Sequence, residues 1–251
     1  MNANRTDLVL LHGWGMNSAV WDALPQALQG RLKPHPIDLP GHGGSSFDAS
    51  RCRLSDWAEG CLAQAPEHAI WLGWSLGGLV ALQAALQAPK RVRALILMTA
   101  TPRFVQAVDW RCAMQEDTLA QFSEGLLNDA AGTLERFLAL QVRGISDARA
   151  TLRTLRAALA RRPAPVTTAL TAGLDMLRED DLRGPLPDIA APTLWLFGER
   201  DTLVPATVAE RVALLMPQAQ TSIIAGAAHA PFLSQADAVV AEIDSFLASF
   251  Y

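Results

Sequence analysis

A serine at 75, an aspartate at 201 and a histidine at 229 are the residue types that nucleophilic acyl chemistry needs. Ser75 lies in Gly73-Trp74-Ser75-Leu76-Gly77, a G-x-S-x-G pentapeptide that follows a strand-like run and opens a helix-like one. In that context the serine sits on a turn so tight that side chains two positions before and two after would clash; glycine relieves both clashes. The hydroxyl then projects at the start of a helix, where amide dipoles favour developing negative charge. A serine hydroxyl is nearly inert at neutral pH and needs a base. Of His12, His35, His42, His68 and His229, the last stands in Gly226-Ala-Ala-His-Ala-Pro231, a loop of small residues after the last strand-like run. Asp201, in Leu196-Phe-Gly-Glu-Arg-Asp201, follows a strand and is the orienting acid; its plainer reading is a turn or helix-cap aspartate. The chain order Ser75, Asp201, His229 suits a serine hydrolase. The oxyanion needs donors. Those expected are the backbone N–H of Leu76 and of Trp14, in His12-Gly13-Trp14-Gly15 after the first strand. His12 is expected to brace that loop.

These residues require elements to hold them. Strand-like runs are Leu8–Leu11, Pro34–Ile37, Ala69–Leu72, Ala94–Met98, Thr193–Phe197 and Thr221–Ile224. Helix-like runs between them are Ala19–Gln29, Leu54–Ala65, Leu76–Gln87, Pro205–Leu215 and Ala236–Phe250. Strands alternating with helices predict an α/β fold with a mainly parallel sheet covered on both faces. The alternation breaks between Phe104 and Arg183, where only helical periodicity remains. The expected division is a core of residues 1–103 and 184–251 with a helical cap, 104–183, hinged at the flanking prolines.

Composition excludes other classes. The 251 residues are 50% hydrophobic and 18% charged, ample to bury a core and unlike a disordered chain. The net charge of −4 lacks the basic surplus that binding along nucleic acid requires. Three cysteines, with no Cys-x-x-Cys pair, suit a reducing compartment and are expected buried or half-buried. Residues 69–88 carry no charge, but glycines divide the stretch into a buried strand and a buried helix rather than a membrane span. No signal-peptide pattern opens the chain; a cytoplasmic, monomeric protein is the expectation. Asp38-Leu-Pro-Gly-His-Gly-Gly-Ser45 reads as a structural turn loop. Neither metal ligands at ligand spacing nor a phosphate loop occurs, so no cofactor is expected.

The runs Leu-Leu-His-Gly-Trp-Gly, Asp-Leu-Pro-Gly-His-Gly, Gly-Trp-Ser-Leu-Gly-Gly, Leu-Phe-Gly-Glu-Arg-Asp and Ala-Ala-His-Ala-Pro-Phe resemble the α/β-hydrolase superfamily. Within it, Ala69–Val80, Glu135–Gln141 and Ala228–Phe232 are similar to the serine esterases of biotin synthesis. Those enzymes cleave the methyl ester of a pimeloyl chain held on acyl-carrier protein. The resemblance implies this reaction, the carrier as partner, and substrate contacts at Trp14, Ser75, Leu76, Phe137, Leu138, Ala139, Leu140, Gln141 and His229. Such relatives commonly carry an antiparallel hairpin before the first strand, whereas seven residues precede Leu8 here, so a shorter sheet edge is expected. Rival readings are a broad short-chain carboxylesterase, a C–C bond hydrolase of the same fold, and a non-catalytic binding module. Dehalogenase and epoxide-hydrolase readings would need an aspartate at 75.

The cap carries its own signal. From Gly132 to Pro165 stand seven arginines and two acids, Glu135 and Asp147, in a chain that is negative overall. Arg149, Arg153 and Arg156 recur on one helix face. With Arg136 they form a candidate docking surface for an acidic carrier, or else a merely solvated face.

Overall fold

A computed structural model describes residues 5–22, 28 and 31–249. Six strands form one parallel sheet: β1 (Thr6–Leu11), β2 (Leu32–Ile37), β3 (Ala69–Trp74), β4 (Val92–Met98), β5 (Thr193–Gly198) and β6 (Gln220–Ile224). Their order is β2-β1-β3-β4-β5-β6. All five pairings are parallel. Side chains alternate across each strand, and the sequence uses both faces. Val9, Leu11, Trp71, Leu95, Leu97, Trp195 and Phe197 enter one apolar cluster. Their neighbours Leu8, Leu10, Ile70, Leu72, Ile96 and Leu196 enter the other. The inner strands therefore read as continuous apolar runs. β2 (LKPHPI) is an edge strand with prolines at 34 and 36, which removes those two backbone donors from one side of the strand.

Helices α1 (Leu54–Gln64), α2 (Leu76–Gln87), α7 (Val208–Leu215), α8 (Pro231–Ser234) and α9 (Ala236–Ala248) flank the sheet. Four more lie between β4 and β5: α3 (Glu116–Asn128), α4 (Ala130–Gln141), α5 (Ala148–Leu159) and α6 (Thr167–Glu179). α3 packs on α4 and α6, and α4 packs on α5. Leu119, Phe122, Phe137, Leu170 and Leu174 join the first cluster; Leu138, Leu155 and Ala158 join the second.

Some expectations need correction. Of the helix expected at Ala19–Gln29, the described start is a 3-10 turn, Ser18–Asp22, and residues 23–27, 29 and 30 lie outside the described residues. The helix expected from Pro205 starts at Val208, because Val208 and Ala209 first close turns on the Pro205 and Ala206 carbonyls. Cys52 is exposed on the loop before α1, whereas Cys61 is buried and Cys112 half-buried. Residues 69–88 divide into β3 and α2, and among the described residues no helix is long and apolar enough to cross a membrane.

Candidate active site

Every residue singled out for chemistry follows the C-terminal end of a parallel strand, the edge at which open α/β sheets gather their loops. Ser75 follows β3, Asp201 follows β5, His229 follows β6 and Trp14 follows β1. Ser75 adopts φ 55° and ψ −119°, a left-handed backbone that few non-glycine residues adopt. The flanking glycines are obligatory. A Cβ on Gly73 would stand 2.3 Å from the Gly77 carbonyl oxygen, and one on Gly77 would stand 2.5 Å from that of Leu11. The Ser75 N–H donates to the Met98 carbonyl at 3.0 Å, and its carbonyl accepts from Gly78 N–H at 2.8 Å, so the turn is tied on both sides.

Asp201 Oδ2 lies 2.7 Å from His229 Nδ1. Its Oδ1 accepts from the N–H groups of Leu203 and Val204 at 2.8 and 3.1 Å. Asp201 is thus both the turn cap of the plainer reading and the partner of His229, one oxygen for each. The carboxylate keeps the imidazole proton on Nδ1, which leaves Nε2 as an acceptor. Nε2 is buried and makes no hydrogen bond. His229 and Ser75 line one small cavity with Phe104, Met114, Leu119, Phe122, Phe137, Leu177 and Leu203. Its volume is about 10 Å³, on the order of a single water.

The His12–Trp14 loop packs directly on the serine turn. A Cβ on Gly13 would meet Ser75 Cβ at 3.3 Å. His12 braces this loop from below: its Nδ1–H donates to Gly13 O at 2.8 Å and its Nε2 accepts from Leu39 N–H at 3.0 Å. Both nitrogens are used only in the neutral ring, and burial holds its pKa down at about 4. His42, 5.3 Å away ring to ring, is lowered to about 3 by burial and then by His12. The Trp14 indole is buried, donates to Leu170 O at 2.8 Å and meets Phe137 edge-on at 4.8 Å, tying the loop to α6 and α4.

The residues expected to contact substrate separate in space. Of 137–141, Phe137 alone lines the cavity. Leu138 turns into the second apolar cluster, Ala139 is exposed, and Leu140 is partly buried against the first cluster. Gln141 is buried with neither amide atom hydrogen-bonded, and its carbonyl accepts from His229 N–H at 3.1 Å. Sequence reasoning missed the remaining cavity wall. Phe104, Met114, Leu119, Phe122, Leu177 and Leu203 come from distant segments, and periodicity marks them only as core.

Arg136, Arg149, Arg153 and Arg156 are all exposed on α4 and α5. Arg156 makes a two-pronged pair with Glu135, at 2.7 and 2.9 Å. Arg136 donates to Thr133 Oγ1, and Arg149 and Arg153 have no ion-pair partner among the described residues. His35 lies 2.6 Å from Asp7, and His68 Nδ1 lies 3.0 Å from Lys90 O, both remote from the cavity.

A model of the alpha/beta hydrolase family matches residues 8–242, and the chain belongs to that family. At higher resolution it is 47% identical over 243 residues to a pimeloyl-[acyl-carrier protein] methyl ester esterase of Stenotrophomonas maltophilia, covering 97% of this chain and 93% of the relative. It is 45% identical over 244 residues to the protein of the same name from Edwardsiella ictaluri, covering 97% and 94%. Among solved structures, an esterase from Exiguobacterium antarcticum superposes with a TM-score of 0.85 at 22% identity, over 96% of this chain and 91% of that one. A bromoperoxidase from Bacillus anthracis gives 0.87 at 19%, over 97% and 92%. At such identities these two likenesses speak for the fold alone.

Proposed function

We propose that this chain is a serine carboxylesterase that hydrolyses the methyl ester of pimeloyl-[acyl-carrier protein], releasing methanol and the carrier-bound free acid. The observation that carries the chemistry is the state of His229. Nδ1 is engaged by Asp201, while Nε2 is unpaired in a cavity shared with Ser75. The substrate assignment rests on relatives of that name at 45–47% identity over nearly the whole chain.

In this reading Ser75 Oγ attacks the ester carbonyl as His229 Nε2 takes its proton. The N–H groups of Leu76 and Trp14 receive the oxyanion. His229 returns the proton to the departing methoxide oxygen, and methanol leaves. Water, deprotonated by the same nitrogen, attacks the acyl-enzyme; the pimeloyl carboxylate forms and Ser75 recovers its proton. Asp201 holds the tautomer throughout.

The α3–α6 helices act as a cap over the cavity. A space of about 10 Å³ admits no seven-carbon chain, so substrate entry requires the apolar walls on α3, α4 and α6 to part. Arg136, Arg149 and Arg153, without acidic partners among the described residues, then offer positive charge to an acidic carrier, with its arm directed between cap and core. Arg156 contributes less, being neutralised by Glu135.

The test is hydrolysis of free and carrier-bound methyl esters of dicarboxylates of graded length. The reading expects kcat/KM to peak at the carrier-bound pimeloyl ester. Equal rates on short free esters would favour a broad carboxylesterase.

A further inference from the structure

The backbone of His229 is fixed at both of its polar groups. Its N–H donates to Gln141 O at 3.1 Å, and its carbonyl accepts from two donors, Trp74 Nε1 at 2.7 Å and Thr99 Oγ1 at 2.8 Å. A carbonyl has two lone pairs, and both are used. Trp74 immediately precedes the serine, so its indole is a strut from the nucleophile's strand to the histidine's loop.

Thr99 is the less expected partner. It directly follows β4, is fully buried, and has φ 42°. Only Ser75 and Thr99 among the described non-glycine residues have positive φ. A β-branched residue is the poorest choice for that backbone, which glycine or asparagine adopts with less strain. The conformation is held by Thr99 N–H donating to Leu196 O at 2.7 Å. What the strained backbone achieves is the aim of the hydroxyl, whose hydrogen bond goes to His229 O. Strained residues of this kind gather at functional sites, where surrounding structure over-determines them.

We infer that Thr99 is a positioning residue for the hydrolytic reaction, its hydroxyl fixing the His229 peptide so that Nε2 is held in the cavity it shares with Ser75. The inference rests on the reading of Ser75 and His229 as nucleophile and base. Removing the hydroxyl leaves the carbonyl satisfied by Trp74, so no buried polar group is orphaned. The loop gains freedom while the fold keeps its other hydrogen bonds.

Three variants separate alignment from packing: Thr99→Val keeps the shape and removes the hydroxyl, Thr99→Ser keeps the hydroxyl, and Thr99→Gly removes both while relieving the backbone. The readouts are kcat and KM on p-nitrophenyl acetate and the rate of Ser75 phosphonylation by a fluorophosphonate probe. Losing one neutral hydrogen bond at the base should lower kcat and the phosphonylation rate about 3- to 12-fold in Thr99→Val and Thr99→Gly, with KM unchanged. Thr99→Ser should stay within about two-fold of wild type. A wild-type kcat in Thr99→Gly or in folded Thr99→Val overturns the inference, as does a Thr99→Ser protein as slow as Thr99→Val. Ser75→Ala, run beside them, keeps the two readings apart. If it is labelled and active like wild type, the nucleophile assignment itself is wrong, whatever Thr99 does.

Discussion

Burial of the neutral His12 and His42 makes stability depend on pH at the scale of single residues. His12 and His42 stay uncharged in the fold down to about pH 4 and 3, but take a proton below about 6.5 once unfolded. Between those limits the unfolded chain binds more protons, so stability is full above pH 6.5 and is lost as pH falls toward 4. Protonating His12 at Nε2 also breaks its acceptance of Leu39 N–H and loosens the loop that carries Trp14. Replacing His42 by Phe removes one titrating group whose Nε2 has no partner. Urea unfolding at pH 4.5 to 6.5 should then show a slope shallower by up to about 1.4 kcal/mol per pH unit. An unchanged slope would mean that His42 is not buried neutral. The order Ser75, Asp201, His229 and the bracing role of His12 were legible in the sequence, because each follows a strand at a fixed place. Thr99 was not, since a positive φ at a threonine leaves no mark in composition or period.

Elements meet the site through glycines, and adding a side chain should have opposite effects at different places. Gly173 on α6 faces Trp14: a Cβ there would stand 2.8 Å from Trp14 Cδ1 and 3.1 Å from Leu76 Cδ2. Gly173→Val therefore presses on both residues assigned as oxyanion donors. It should cost about 1–3 kcal/mol of stability through overpacking and lower kcat about tenfold or more if one donor is displaced. On α1, a Cβ at Gly60 meets nothing within 4 Å. Gly60→Ala should leave kcat alone and raise stability by about 0.5–1 kcal/mol. Thermal melts and kcat on a small ester check both; a harmless Gly173→Val would argue against the α6 contact with the Trp14 loop. The inner strands were readable because they are apolar on both faces. The start of α7 was not, since backbone turns on Pro205 and Ala206 set that boundary against the apolar pattern.

At the scale of the whole molecule, charge is unevenly distributed. A chain of net −4 carries Arg136, Arg149 and Arg153 exposed on α4 and α5, without acidic partners among the described residues. The stripe was visible in the sequence; the pairing of Arg156 with Glu135 was not, because those residues meet across α4 and α5. Reversing Arg149 and Arg153 together to Glu should raise KM for a carrier-bound ester about tenfold or more at low salt. The effect should shrink as salt screens the surface, and KM for a small free ester should not move. Equal effects on both substrates would argue against docking there.

The central claim is that Ser75 attacks the pimeloyl methyl ester with His229 as base. Its most direct test is acyl-enzyme trapping: pimeloyl-[acyl-carrier protein] methyl ester is mixed with wild type, Ser75→Ala and His229→Ala, quenched in acid and read by mass spectrometry. The account predicts an acyl adduct on the Ser75 peptide of wild type, with methanol released and at least about a thousandfold slower turnover in both variants. An adduct elsewhere, or full turnover by folded Ser75→Ala, would contradict it.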